Sequence, residues 1–186
     1  TTACNTYERN GSKSNKSWAC YHVYWKWAGH CNGDRKSKLI TIMSESFKIE
    51  KVAVLGTGVM GAQIAAHLTN AKIPVLAFDI NQEIAQKGIE SSTKIKPSAY
   101  YNPKTVEMIT ALNYDDHIKQ IAECDWIIEV IAERLDWKQD LYSKIQPHLK
   151  KDAIITSNTS GISASDLISK MDDDMAKRFF ITHFFN

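Results

Sequence analysis

Three glycines, Gly56, Gly58 and Gly61, stand in the order G-x-G-x-x-G between two differently patterned apolar stretches. Upstream, residues 51–55 (KVAVL) are apolar and β-branched, the composition of a strand buried on both faces. Downstream, in residues 62–72 (AQIAAHLTNAK), Ile64, Ala65, Leu68 and Ala71 recur at helical spacing. A strand, a glycine turn and a helix in immediate succession leave few folds open. The first glycine permits the turn, the second has no Cβ to hold a phosphate off the backbone, and the third lets the helix pack close to the strand. The start of the helix then offers unpaired N–H groups and a positive dipole end to an anion. Gly56, Gly58, Val59, Met60 and Gly61 are therefore the candidate pyrophosphate loop.

The pattern continues in the same alternation. Residues 73–79 (IPVLAFD) read as a second strand ending on Asp79, 23 residues after Gly56. A carboxylate there accepts the ribose hydroxyls of an adenosine and repels a 2′-phosphate, so NAD rather than NADP is the expected cofactor. A helix is predicted over 81–95 with Asn81 as N-cap, a loop over 96–102, and a short helix from Pro103 through Ala111. Another helix is expected around His117 to Ala122, a strong strand over 125–132, and a helix from Leu135 to Leu149. A strand over 153–158, a short helix near Ala164 to Lys170 and a last strand over 178–185 complete the chain. Strands alternating with helices predict an α/β fold with a doubly wound, mostly parallel sheet of the Rossmann type. No internal repeat is visible.

Composition matters chiefly at the start. Residues 1–43 carry seven Lys/Arg against two Asp/Glu, with Cys4, Cys20, Cys31, Trp18, Trp25 and Trp27, and lack either apolar periodicity. Cys20, His22, His30 and Cys31 match no common zinc spacing, so no metal site is expected. The segment has no apolar h-region for secretion and fits a transit peptide poorly. It reads as a basic leader outside the evolved fold, with the domain over 44–186 starting near Met43. Cys124 is the only cysteine after that point and cannot form a disulfide within the domain. This suits a reducing compartment, the bacterial cytoplasm or, in a eukaryote, the mitochondrial matrix. No apolar run is long enough to cross a bilayer, and neither a membrane nor a nucleic acid is expected as partner. A nucleic-acid arm in the leader is the competing reading, and it predicts salt-sensitive binding.

Four later stretches narrow the family: DWIIEVIAERLDWKQDLYSKI at 125–145, FD at 78–79, SNTS at 157–160 and HFFN at 183–186. Together with VAVLGTGVMGAQIA they resemble the L-3-hydroxyacyl-CoA dehydrogenases of fatty-acid β-oxidation, over about residues 48–186. The resemblance implies that Glu133 and Lys138 line the nicotinamide side of the NAD site. It implies that Ser160 binds the substrate oxygen beside the cofactor, that His183 is the catalytic base, and that Asn186 contacts nicotinamide and the reacting oxygen. Ser92 matches a coenzyme A contact, at a spacing from Asp79 shorter than the family's. The residue types suit the chemistry: an imidazole titrates near neutral pH, as removal of a hydroxyl proton requires. Glu129, inside an apolar strand, is either a cofactor neighbour at the strand's end or a hydrogen-bonded buried acid.

The family pattern runs on past HFFN to a glutamate that pairs with the histidine, and to a helical domain that closes over the acyl chain and forms the dimer interface. The expectation is therefore of an NAD-binding half-site, with 3-hydroxyacyl-CoA turnover belonging to a longer homodimeric or multifunctional protein. Two alternatives compete. A β-hydroxyacid or sugar-nucleotide dehydrogenase of the same fold uses a lysine base and lacks SNTS followed by HFFN. A non-catalytic relative of the λ-crystallin kind would be favoured by loss of Ser160 or His183, and both are present.

Overall fold

The computed structural model describes residues 48–184. The readings of the leader, and of Asn186, fall outside these residues. Six strands form one sheet in the order β3-β2-β1-β4-β5-β6. They are β1 (Val52–Leu55), β2 (Val75–Asp79), β3 (Ile109–Asn113), β4 (Trp126–Glu129), β5 (Ile154–Ser157) and β6 (Phe179–Ile181). Every pairing is parallel, in registers such as Val52↔Val75, Val52↔Trp126 and Trp126↔Ile154. All six strands therefore end on one edge, and the order reverses between β1 and β4. In open parallel sheets ligands bind at that reversal, beyond the carboxyl ends of the strands.

Alternation along the strands divides the core in two. Val52, Val54, Val75 and Ala77 face α1 (Val59–Asn70) and α2 (Gln82–Ser92), packing on Ile64, Ala65, Leu68 and Ile89. Ala53, Leu55, Leu76 and Phe78 face the other way, toward Leu141, Tyr142 and Ile145 of α4 (Leu135–Ile145). Leu167 of α5 (Ala164–Ile168) and Met175 of α6 (Asp173–Lys177) complete that layer. A strand covered on both faces has no polar side to show, which is why KVAVL carries no alternation. Each large side chain so buried stabilises the fold by about 1.5–3 kcal/mol. Asn81 caps α2 as expected, its side chain accepting from the Ile84 amide.

Several elements differ from the sequence reading: α6 (Asp173–Lys177) stands where no helix is expected, the helix expected to Leu149 stops at Ile145, and three others change in type or extent. The helix predicted from Pro103 through Ala111 is a 3-10 segment that stops at Met108, and Ile109–Asn113 is edge strand β3. Pairing with β2 satisfies the backbone groups on its inner side. The helix around His117 to Ala122 begins earlier, as α3 (Tyr114–His117), capped by Asn113 and continued as a 3-10 turn to Glu123. The last strand is only Phe179–Ile181, so His183 lies just past its end rather than within it. Among the described residues no helix is long and apolar enough to cross a membrane.

Candidate active site

The glycine loop leaves β1 where the chain must turn sharply. Gly56 has φ +101°, and a Cβ there would stand 2.9 Å from the Val130 carbonyl oxygen. At Gly61 a Cβ would fall 1.9 Å from the Gly56 carbonyl oxygen, because the first turn of α1 rests on the loop itself. Gly58 is different: nothing lies within 4 Å of its Cβ position. Gly58 is also the N-cap of α1, with no side-chain cap and no acidic residue in the first turn. The amides of that turn are open to an anion. Two substitutions should separate these roles. Gly61→Ala is expected to lower the melting temperature sharply, whereas Gly58→Ala should leave it unchanged and weaken NADH binding by at least about tenfold, roughly 1.4 kcal/mol. Circular dichroism melts and NADH fluorescence titrations read the two effects; equal melting shifts would show that Gly58 is also needed for packing.

Asp79 closes β2 beside this loop. Its Oδ2 accepts the Thr57 amide at 2.7 Å and the Thr57 hydroxyl at 2.6 Å, while Oδ1 accepts the Ile80 amide at 2.8 Å. A cleft of about 450 Å³ opens here, bounded by Gly56, Gly58, Asp79, Ile80, Ile131 and Trp137. Trp137 is half-exposed along this cleft, with the Arg134 guanidinium 4.5 Å from its ring centroid. The open space at Gly58, the uncapped helix start and the oriented carboxylate fit the pyrophosphate and adenosine of NAD, and apolar walls of this kind suit an adenine.

Farther along the same edge, the loop after β5 carries Ser160. Its hydroxyl lies 2.8 Å from His183 Nε2, just past β6. Glu133, from the loop after β4, fixes this segment: its Oε1 accepts the Thr159 hydroxyl at 2.6 Å, the Ser160 amide at 2.9 Å and the Gly161 amide at 2.8 Å. Partial burial pushes the Glu133 carboxyl up, but these three donors and the Lys138 charge outweigh it and hold it down at about 2. It is thus ionised at neutral pH. Lys138 is buried, 2.6 Å from Glu129 Oε1 and 3.6 Å from Glu133 Oε2. Glu129 is fully buried at the end of β4, and it also accepts the Ile131 amide at 2.8 Å, the Tyr142 hydroxyl at 2.7 Å and the Ser157 hydroxyl at 2.5 Å.

A serine hydroxyl against an imidazole can serve acyl transfer or proton removal from an alcohol. Acyl transfer needs free N–H donors for the developing oxyanion. The Ser160 and Gly161 amides are both occupied by Glu133. The arrangement therefore suits proton removal from an alcohol better than acyl transfer.

The structure brings Gly56, Gly58, Val59, Met60, Gly61, Asp79, Glu133, Ser160 and His183 to the carboxyl edge of the sheet. It does not bring Ser92 there. Ser92 lies on the last turn of α2, buried, with its hydroxyl on the Ile89 carbonyl at 2.6 Å and the Tyr100 hydroxyl at 2.8 Å. Lys138 reaches the edge through Glu129, Glu133 and the Ile131 carbonyl, to which it donates at 3.4 Å. Sequence reasoning missed Thr57 and Thr159, since a threonine in a turn carries no signal of its own. It also passed over Gly88 in the middle of α2, where a Cβ would fall 2.1 Å from the Thr57 carbonyl oxygen. A glycine inside a helical pattern was the available clue. Among the described residues no cluster of His, Cys, Asp and Glu could hold a metal ion. Burial pushes the Cys124 thiol up to about 12, which leaves it inert.

Comparison with known proteins agrees with this geometry. Residues 51–186 match the family described as 3-hydroxyacyl-CoA dehydrogenase, NAD binding domain. A Deinococcus radiodurans protein named a probable 3-hydroxyacyl-CoA dehydrogenase is 42% identical over 146 residues, covering 75% of this chain and 42% of the relative. A Rickettsia felis protein, provisionally named a fatty acid oxidation complex trifunctional enzyme, is also 42% identical over 146 residues, covering 75% of this chain and 20% of the relative. The solved (S)-3-hydroxybutyryl-CoA dehydrogenase PaaH1 from Ralstonia eutropha superposes with a TM-score of 0.64 at 26% identity, over 75% of this chain and 50% of that one. The chain thus spans half or less of the length of each of these proteins. With the glycine loop, Asp79 and the cleft between them in register with that match, the chain belongs to the 3-hydroxyacyl-CoA dehydrogenase family as its NAD-binding domain, and NAD is the cofactor its cleft takes.

Proposed function

We propose that this domain is the NAD-binding part of a longer protein that oxidises (S)-3-hydroxyacyl-CoA to 3-oxoacyl-CoA in fatty-acid β-oxidation. The observation that carries the reading is the 2.8 Å contact between Ser160 Oγ and His183 Nε2 on the edge that bears the glycine loop. When bound, NAD supplies the hydride acceptor. The chain's own residues do the rest. His183 takes the hydroxyl proton at Nε2, the nitrogen that is an acceptor in neutral imidazole when the other ring nitrogen carries the hydrogen. Ser160 holds the substrate oxygen against that nitrogen, and Glu133 keeps Ser160 in place through the backbone on either side of its side chain. Lys138 neutralises Glu129 and faces Glu133, so the loop beside the nicotinamide rests on a buried ion pair. Asn186 completes the set with an amide toward the reacting oxygen, by the family resemblance. Ser92 has no part in this reading, because its hydroxyl is satisfied in the interior.

The names of the relatives support a β-oxidation setting, either a lone dehydrogenase or one part of a multifunctional protein. The compartment, the cytoplasm of a bacterium or the mitochondrial matrix of a eukaryote, is inferred from the single cysteine after Met43. The test is reduction of acetoacetyl-CoA, followed by loss of NADH absorbance in the whole protein, alongside NADH titration of the 186-residue chain. Turnover with acetoacetyl-CoA and binding of NADH are the expected results. NADH binding with no turnover on any 3-oxoacyl-CoA would overturn the reaction while leaving the cofactor in place.

A further inference from the structure

The carboxylate that receives the cofactor's ribose is already heavily engaged. A carboxylate offers about four lone-pair sites, two on each oxygen. Both sites on Asp79 Oδ2 are taken, by the Thr57 amide and the Thr57 hydroxyl, and one site on Oδ1 is taken by the Ile80 amide. One site is left. The adenosine ribose presents two hydroxyls, so accepting both requires that one existing donor withdraw.

The two amides are fixed by the backbone, and only the Thr57 hydroxyl can turn. Thr57 is buried, with relative exposure 3%, and α2 presses directly on it: a Cβ on Gly88 would meet Thr57 Cβ and Oγ1 each at 2.9 Å. Water is thereby kept from that hydroxyl. Its second acceptor is the Ile84 carbonyl oxygen, 3.5 Å away on the first turn of α2. The hydroxyl thus has two stations, a short one on the carboxylate and a long one on the helix.

We infer that Thr57 is a positioning residue for the cofactor, a hydroxyl latch that sits on Asp79 when the ribose is absent and swings to the Ile84 carbonyl when both ribose hydroxyls bind. The inference rests on the NAD assignment. Its consequence is a competition at one oxygen. Each ribose that binds exchanges a hydrogen bond to a charged group for a weaker one at the helix, so the latch holds cofactor affinity below what Asp79 alone would give. Gly88 enforces the arrangement by bringing α2 close enough to supply the second station.

Thr57→Val keeps the shape and removes the hydroxyl, while Thr57→Ser keeps the hydroxyl. NADH titration of the 186-residue chain should give Thr57→Val a dissociation constant about five- to tenfold lower than wild type, on the scale of a charge-assisted hydrogen bond, with Thr57→Ser near wild type. The decisive readout is the dinucleotide lacking the adenosine 2′-hydroxyl. It needs only the site already free on Asp79, so Thr57→Val and wild type should bind it alike, within about twofold. Should the valine variant melt early, Thr57→Ala carries the same comparison, since each variant's ratio of NADH to 2′-deoxy affinity is internal to that protein. An unchanged ratio in both variants overturns the latch. Failure of wild type to bind NADH overturns the nucleotide assignment, and the latch with it.

Discussion

Replacing His183 with glutamine should cut turnover of the whole protein by about 10²–10⁴-fold, the usual contribution of a positioned proton acceptor. Glutamine reaches toward Ser160 much as the imidazole does, but it accepts no proton at neutral pH. NADH binding should be unchanged, because the glycine loop, Asp79 and the cleft they bound involve neither His183 nor Ser160. The loss therefore belongs in kcat, with the dissociation constant of NADH held within about twofold. Activity that stays within a few-fold of wild type would falsify His183 as the base and move the proton to another group.

The second large effect is on stability. Lys138→Met should cost about 3–5 kcal/mol, the range seen when one partner of a buried ion pair is removed. Both side chains are almost wholly enclosed, at 1% and 0% exposure, so water cannot replace the lost ammonium. Against a typical domain stability of about 5–15 kcal/mol, such a loss shifts the urea midpoint strongly. The double variant Lys138→Met, Glu129→Gln should recover part of the loss, since a neutral amide at 129 keeps polar contact with Tyr142 and Ser157 without a buried charge. If the single and double variants melt together, the cost lies in packing of the lysine stem and not in the stranded carboxylate. Lys138→Met should also loosen the Ser160 loop, through Glu133.

How much of this could be read from the residues depends on whether the information is local. The glycine loop is local: strand, turn and helix lie within about twenty residues, Gly56 is required by its own φ of +101°, Gly61 by the loop beneath it and Gly58 by space for a ligand. Asp79 is nearly so, since it ends the next strand. The edge strand β3 escaped because Ile109–Asn113 follows a proline-started turn, and its half-buried pattern resembles a short helix until β2 supplies partners. The site residues Ser160 and His183 are 23 positions apart, and only the parallel crossover from β5 to β6 brings their side chains together. Lys138 shows the limit most clearly. A lysine near a helix start reads as a surface charge, yet it is sealed beneath Leu135–Ile145 by a glutamate from the neighbouring strand. Nothing in its own segment announces a partner nine residues back in a strand. Glu129 did carry a clue, as an acid in an apolar run, and the buried-acid reading is the one the structure bears out.

The strand order has a thermodynamic corollary. β1 pairs on one side with β2 and on the other with β4, Val52 meeting Val75 and Trp126 in turn. The cleft borrows walls from both sides of that junction, with Asp79 and Ile80 from one half and Ile131 and Trp137 from the other. No partly folded chain that has assembled only one half owns a complete nucleotide site. Dinucleotide at a hundred times its dissociation constant should therefore stabilise the entire domain by about 2.7 kcal/mol, acting as a clasp across the two halves. Slowed amide exchange would then appear in β3 and β5 alike.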